Sequence, residues 1–251
     1  MDLDLKGKTV LVTGASRGIG KNIARAFYSE NCKIAINSRN IDDLKKVASE
    51  LPGVVIIPAD VTKPDQAKQM IMKAIEALGG LDILVCNVGS GSSVPPGDEY
   101  YQEWKRVFAT NLWSTTNTVE AARESLSKRR GVIVCISSIC GIEVVPKAPV
   151  TYSVAKSALN AYVRGISRPL GKNGVRINAI AAGNILFDKS VWGEKLKDSP
   201  ESVQEMLKHN VSLSSLGTLN NVTDLVMFLA SNRASFATGS IWTLDGGQVH
   251  S

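Results

Sequence analysis

Short apolar runs alternate with longer helix-periodic segments along this chain, and the alternation restricts its possible folds more than any single motif. Residues 9–13 read Thr-Val-Leu-Val-Thr, and 33–37, 54–58, 81–86, 131–136, 175–180 and 241–244 repeat that short apolar character. Runs this brief, apolar at successive positions, suit strands covered on both faces. Between them, 18–30, 41–50, 64–78, 99–127, 151–171 and 221–230 place apolar residues at helical spacing, and Pro64 suits a first helical turn. Strand–helix alternation of this kind predicts an α/β fold, a doubly wound parallel sheet with helices on both faces. The 251 residues contain no linker, repeat or low-complexity tract, so a single domain over 1–251 is expected. Two stretches break the rhythm: a polar loop at 89–97 after the fourth strand, and 183–210 after the sixth. In doubly wound sheets ligands lie beyond the carboxyl ends of the strands, so both fall where substrate is expected.

The first strand runs into Thr13-Gly14-Ala15-Ser16-Arg17-Gly18-Ile19-Gly20 and then a helix. Glycines there permit a tight turn and close approach of a pyrophosphate, and the helix N-terminus offers N–H groups to the anion. The spacing is Gly-x3-Gly-x-Gly, not the common Gly-x-Gly-x-x-Gly. The second strand ends in Asn37-Ser38-Arg39-Asn40, where an NAD site places an acid for the ribose 2′-hydroxyl. An arginine at that position, with Arg17 in the turn, suits a 2′-phosphate, so NADP(H) is favoured over NAD(H).

Tyr152 and Lys156 lie four residues apart in a helical segment, and Ser138 precedes the tyrosine by fourteen. Residues i and i+4 share a helix face. A cation held beside the phenol is expected to favour phenolate and lower the tyrosine's pKa, giving a proton carrier in a chain with two histidines, His209 and His250, neither in a recognisable motif.

The charge balance of 29 basic and 23 acidic residues gives +6 at pH 7, and its one tight cluster, Lys128-Arg129-Arg130, closes a helical segment where cations suit the C-terminus. Nothing here points to nucleic acid. No apolar run approaches the ~20 residues of a membrane span, and the charged start lacks a secretion signal's apolar stretch, so no membrane and a cytoplasmic location are expected. Cys32, Cys86, Cys135 and Cys140 lack metal-like spacing, which favours buried free thiols and no metal site.

Taken in order, these motifs resemble the short-chain dehydrogenase/reductase family over nearly the whole chain. Thr13–Gly20 looks like its cofactor turn, Asp60-Val61 like its adenine-contacting pair, and Asn87-Val88-Gly89 like the end of its Asn-Asn-Ala-Gly segment, with Cys86 and Val88 replacing the usual asparagine and alanine. Asn111 in Ala-Thr-Asn-Leu, Ser138, Tyr152 and Lys156 match the active-site set, and Asp245-Gly246-Gly247 resembles the C-terminal motif. The resemblance implies a Rossmann-like fold and a cofactor set of Gly14, Ser16, Arg17, Gly18, Ile19, Gly20, Ser38, Arg39, Asp60, Val61, Asn87, Gly89, Tyr152, Lys156, Gly183 and Ile185. It further implies that Ser138 binds the substrate oxygen, that Tyr152 exchanges its proton, that Lys156 tunes the phenol and holds the nicotinamide ribose, and that Asn111 positions a relay water. Homotetramers, or dimers, through the long fourth and fifth helices are the implied assembly.

The chain departs from the family pattern at Ala182-Gly183, where Pro-Gly is usual; at Pro169, which favours a kink or an end late in the active-site helix; and in a Ser138–Tyr152 gap one residue longer than common. The substrate segment mixes Phe187 and Trp192 with Asp188 and Lys189. A 3-oxoacyl thioester, a sugar or a small alcohol all remain open as substrates. So do an idle NADP-binding scaffold and an epimerase or dehydratase on the same framework.

Overall fold

The computed structural model describes residues 3–250. Among them, β1 (Thr9–Val12), β2 (Lys33–Ser38), β3 (Val55–Pro58), β4 (Ile83–Cys86), β5 (Val132–Ser138), β6 (Arg176–Ala182) and β7 (Ile241–Leu244) form one sheet in the order β3-β2-β1-β4-β5-β6-β7. Every pairing is parallel, in register from Ala35↔Val55 at one edge to Ala182↔Leu244 at the other. The Rossmann-like α/β fold expected from the alternation is present. The order reverses between β1 and β4, so the crevice beyond their carboxyl ends is where a ligand fits.

Two apolar clusters cover the sheet. One packs Phe27, Ile23 and Ala24 of α1 (Gly18–Ser29) with Val10, Val12, Val85 and Val134, and the other packs Met70 and Ile71 of α3 (Pro64–Leu78) with Leu11, Leu84, Ile133 and Ile177. Neighbouring strand residues thus face opposite layers, as period-2 geometry requires. The segment α2 (Ile41–Glu50) begins at Asn40, whose side chain accepts from the Asp42 and Asp43 N–H groups.

Two elements differ from the expectation. Residues 99–127 are not one helix: α4 (Tyr101–Phe108) and α5 (Ser114–Arg129) are joined by a π-helical turn, Ala109–Trp113, centred on Asn111. The buried positions Val107, Asn111, Ser114 and Thr118 follow one another at spacings of three to four residues across the turn, so spacing alone does not reveal it. The second is 183–210, which folds largely into α7 (Val191–Asp198) and α8 (Pro200–Asn210). Ser190 caps α7 by accepting from the Gly193 N–H, and Pro200 opens α8. Both helices pack a small satellite core in which Trp192 and Leu196 meet Val203 and Leu207. At Ala182-Gly183, where Pro-Gly is usual in the family, the turn is closely packed without a proline. The Gly183 N–H donates to the Leu244 carbonyl at 2.9 Å, and a β-carbon on Gly183 would lie 2.7 Å from that of Asp245.

The helix that carries Tyr152 and Lys156, α6 (Val150–Gly171), runs two residues past Pro169, consistent with a proline-marked end. After α6, α9 (Leu219–Ala230) starts in a capping box between Thr218 and Asn221. The basic cluster closes α5: Lys128 pairs with Glu124 at 2.7 Å, Arg129 donates to the Gly79 carbonyl, and Arg130 is the left-handed cap. No helix among the described residues is long and apolar enough to cross a membrane.

Candidate active site

The glycine turn is shaped by what it cannot accommodate. Gly14 (φ +63°) and Gly18 (φ +54°) occupy the left-handed region, and a β-carbon on Gly20 would sit 2.4 Å from both Asn87 Nδ2 and the Gly14 carbonyl oxygen. Asn87 fastens the turn from β4, donating through Nδ2 to the Thr13 and Gly14 carbonyls at 3.1 and 3.0 Å. Its amide is thereby committed to the protein. Gly20→Ala is accordingly expected to weaken dinucleotide binding more than tenfold and to cost about 1–3 kcal/mol of stability through overpacking. Fluorescence titration and thermal melting of the variant check both.

At the end of β2, Asn37 donates from Nδ2 to the Ile57 and Ala59 carbonyls while its buried Oδ1 has no partner. Sequence reasoning passed over this residue, which reads as an ordinary strand asparagine. Arg17 and Arg39 are exposed, and neither forms an ion pair with a described residue. Asp60 Oδ1 accepts from the Thr62 N–H and hydroxyl, and the Val61 carbonyl accepts from Asn117 Nδ2. A free acceptor and a cradle that glycine alone fits suit an adenine dinucleotide.

A cleft of about 860 Å³ opens beside the turn. Gly14, Arg17, Gly18, Ile19, Asn87, Gly89, Ser138, Tyr152, Lys156, Gly183 and Ile185 all line it. Ser16, Gly20, Ser38, Arg39, Asp60, Val61 and Asn111 do not. Of these, Asn111 is buried behind the 89–97 loop. There its Oδ1 accepts from the Ser90 N–H at 2.9 Å, and its Nδ2 donates to the Ser90 and Val107 carbonyls. Its side chain holds the loop rather than facing the cleft.

Lys156 is almost wholly buried, and its Nζ donates to the Ile136 carbonyl at 2.9 Å. The ammonium stands 5.8 Å from the Tyr152 ring centroid. Burial pushes the lysine's pKa down to about 8. The tyrosine moves opposite to expectation: burial pushes it up to about 12, with the Ser138 hydroxyl pulling downward and Cys140 adding to the rise. Desolvation outweighs a cation whose proton is directed at a backbone carbonyl. Tyr152 is therefore a neutral phenol at neutral pH. Burial also raises the Cys140 thiol, as a filler residue's would be.

Residues that no motif indicated hold α6 in place. The Ser137 hydroxyl donates to buried Asn160 Oδ1 at 2.6 Å, and Asn160 Nδ2 donates to the Gly141 carbonyl at 3.0 Å. Gly141 lies against α6 so closely that a β-carbon would be 2.6 Å from the Lys156 carbonyl carbon. These contacts tether the loop that takes up the longer Ser138–Tyr152 gap. On the other side, buried Glu103 pairs with Arg106 and accepts from the Ser93 hydroxyl at 2.7 Å, and Ser93 meets Thr151, next to Tyr152, at 2.6 Å. The Arg106 guanidinium and Ser93 hold the Glu103 carboxyl down at about 2.

A nucleotide-shaped turn and a Ser–Tyr–Lys group opening on one cleft define a dinucleotide-dependent oxidoreductase class. The chain belongs to the short-chain dehydrogenase/reductase family: a family model described as enoyl-(acyl carrier protein) reductase matches residues 14–249. Glucose 1-dehydrogenase of Gluconobacter oxydans is 32% identical, covering 96% of this chain and 91% of that protein. The 3-oxoacyl-[acyl-carrier-protein] reductase of Thermotoga maritima is also 32% identical, covering 98% and 99%. Among solved structures, L-sorbose reductase from Gluconobacter frateurii, complexed with NADPH and L-sorbose, superposes with a TM-score of 0.93 at 26% identity over all of both chains. A 7α-hydroxysteroid dehydrogenase complexed with NADH and 7-oxo glycochenodeoxycholic acid does so at 0.89 and 30% identity, covering 99% and 97%.

Proposed function

We propose that this enzyme is an NADP(H)-dependent oxidoreductase interconverting a carbonyl and a secondary alcohol, with Tyr152 as the acid/base. The observation that carries the reading is the opening of Ser138, Tyr152 and Lys156 onto the same cleft as Gly14, Gly18 and Ile19. A nicotinamide cofactor supplies or removes the hydride. The chain's own residues handle the oxygen: Ser138 binds it, and the Tyr152 phenol gives it a proton as negative charge develops. A phenol held protonated in the cleft suits the reductive direction. Lys156 keeps a cation behind the ring, and Asn111 positions the Ser90 loop and, through it, a relay water. Ser16, Ser38, Asp60 and Val61 complete the adenosine side of the cofactor site, and α5 and α6 form the faces of a homotetramer, or a dimer, that sedimentation can test.

The test is NADPH oxidation followed against a panel of carbonyl compounds with NADH in parallel. Turnover with NADPH preferred supports the proposal, whereas cofactor binding without turnover across the panel overturns it. For the cofactor, Arg39→Glu is expected to lower the NADPH-to-NADH ratio of kcat/KM by at least ~10-fold, because it exchanges a charge-assisted phosphate contact for repulsion. An unchanged ratio would remove Arg39 from the 2′-phosphate site.

A further inference from the structure

The substrate half of the cleft carries charge of one sign. Lys147 lines it from the loop before α6, and Lys189 and Lys195 line it from the segment after β6. No aspartate or glutamate lines the cleft among the described residues. The acids nearest in sequence are placed otherwise. Asp188 is exposed outside the lining, Glu194 pairs with Lys197, and Glu143 lines an adjoining cavity where it accepts from the His250 N–H. None of the three lysines forms an ion pair with a described residue. In a chain with 23 carboxylates, lysines left without counter-charges around a concave surface repel one another, an arrangement that an anion relieves.

Two backbone observations add to this. Lys147 (φ +65°) and Lys189 (φ +58°) both occupy the left-handed region, which side chains other than glycine, asparagine and aspartate rarely adopt. Strain of this kind clusters at ligand clamps, and here it falls on lysines from both walls of one cleft. Lys195 is held as well, its Nζ lying 4.6 Å above the Trp192 ring centroid. That contact covers one face of Trp192 with a cation.

We propose that the substrate is a small carbonyl or alcohol compound bearing its own anionic group, a carboxylate or a phosphate, and that Lys147, Lys189 and Lys195 are the residues that select it. The inference rests on the reductase reading for the carbonyl, but the anion preference is measurable without turnover. The lysines line a concave cleft, which suits a small anion entering it.

The experiment uses matched probes on the full chain: 2-oxo and 3-oxo carboxylates against their methyl esters, and fructose 6-phosphate against fructose. Each is read twice, by kcat/KM for NADPH oxidation and by calorimetric Kd on the NADP+-loaded protein. The anionic member of a pair is expected to be favoured by about fivefold to thirtyfold at low ionic strength, since exposed ion pairs are individually weak and three act together. That margin narrows as salt rises. The carboxylate and phosphate pairs show which anion the site takes. The triple variant Lys147→Gln, Lys189→Gln, Lys195→Gln is expected to reduce the margin to within about twofold, with its melting temperature confirming the fold, and Lys195→Arg to retain it. Neutral probes matching or exceeding the anions in both readouts overturn the proposal, as does the absence of binding by every anionic probe at ~10 mM. Anion-selective binding without NADPH oxidation upholds the anion site and overturns the reductase reading.

Discussion

Tyr152→Phe is expected to lower kcat for carbonyl reduction by about 10²–10⁴-fold while leaving NADPH affinity within a few-fold. The substitution removes one oxygen and leaves the ring. The ring's place is set by α6, which Asn160 and Gly141 fasten on one side and the Glu103–Ser93–Thr151 chain on the other. None of those contacts involves the phenol, so the variant should fold as the parent does. What disappears is the proton that burial holds on Tyr152 at neutral pH. Without it, negative charge developing on the carbonyl oxygen meets only the Ser138 hydroxyl. Single-turnover measurements at saturating NADPH separate this chemical loss from any change in binding. A rate within tenfold of the parent would take Tyr152 out of proton transfer and leave Ser138 or solvent as the donor.

Much of this site was legible because its parts obey local rules. Period-2 and 3.6-residue patterns locate the strands and most helices, and the order of the motifs along the chain places Ser138, Tyr152 and Lys156 at strand and helix ends that face one cleft. What escaped depends on contacts between distant segments. Across the π turn around Asn111 the buried positions keep a spacing of three to four residues, so periodicity sees one helix. The helices α7 and α8 bury their apolar residues mainly against each other, and the polar remainder reads as loop, although Ser190 and Pro200 are start signals in retrospect. Glu103 looks like a solvated helix residue until Ser93 and Thr151 are seen to close over it. The reversal in Tyr152 has the same origin. Helical spacing brings Lys156 within reach of the phenol, but whether the cation or the loss of water dominates depends on burial, and burial belongs to the folded molecule.

That balance makes Lys156 a residue the fold would be more stable without. Its side chain is 3% exposed, and its described hydrogen-bond partner is the Ile136 carbonyl, although an ammonium has three protons to donate. Desolvation brings its pKa from 10.5 down to about 8. At pH 7 the group is charged in both the folded and unfolded states, and a displacement of that size corresponds to about 3 kcal/mol of folding free energy lost to burying the charge. The sign is fixed by linkage: between pH 8 and 10.5 the unfolded chain binds the lysine proton more tightly, so the lysine's own contribution to stability rises through that window, while the thiols of Cys32 and Cys140, raised by burial, contribute in the opposite direction. Above pH 10 the raised Tyr152 pKa works in the opposite direction. In Lys156→Met an apolar chain of similar length fills the space, at the cost of a carbonyl left without its donor, about 1–2 kcal/mol. The variant is therefore expected to be about 1–2 kcal/mol more stable than wild type at pH 7, raising Tm by roughly 2–8 °C. Its stability advantage over wild type should shrink between pH 8 and 10.5, because the groups common to both proteins cancel in the difference. Carbonyl reduction should fall by at least ~10²-fold, as expected when a charge preorganised near the reacting oxygen is removed. Differential scanning calorimetry across pH, beside NADPH turnover, reads both effects from one preparation. A variant that melts below wild type at pH 7 would show that the ammonium is a structural tie rather than a cost carried for catalysis.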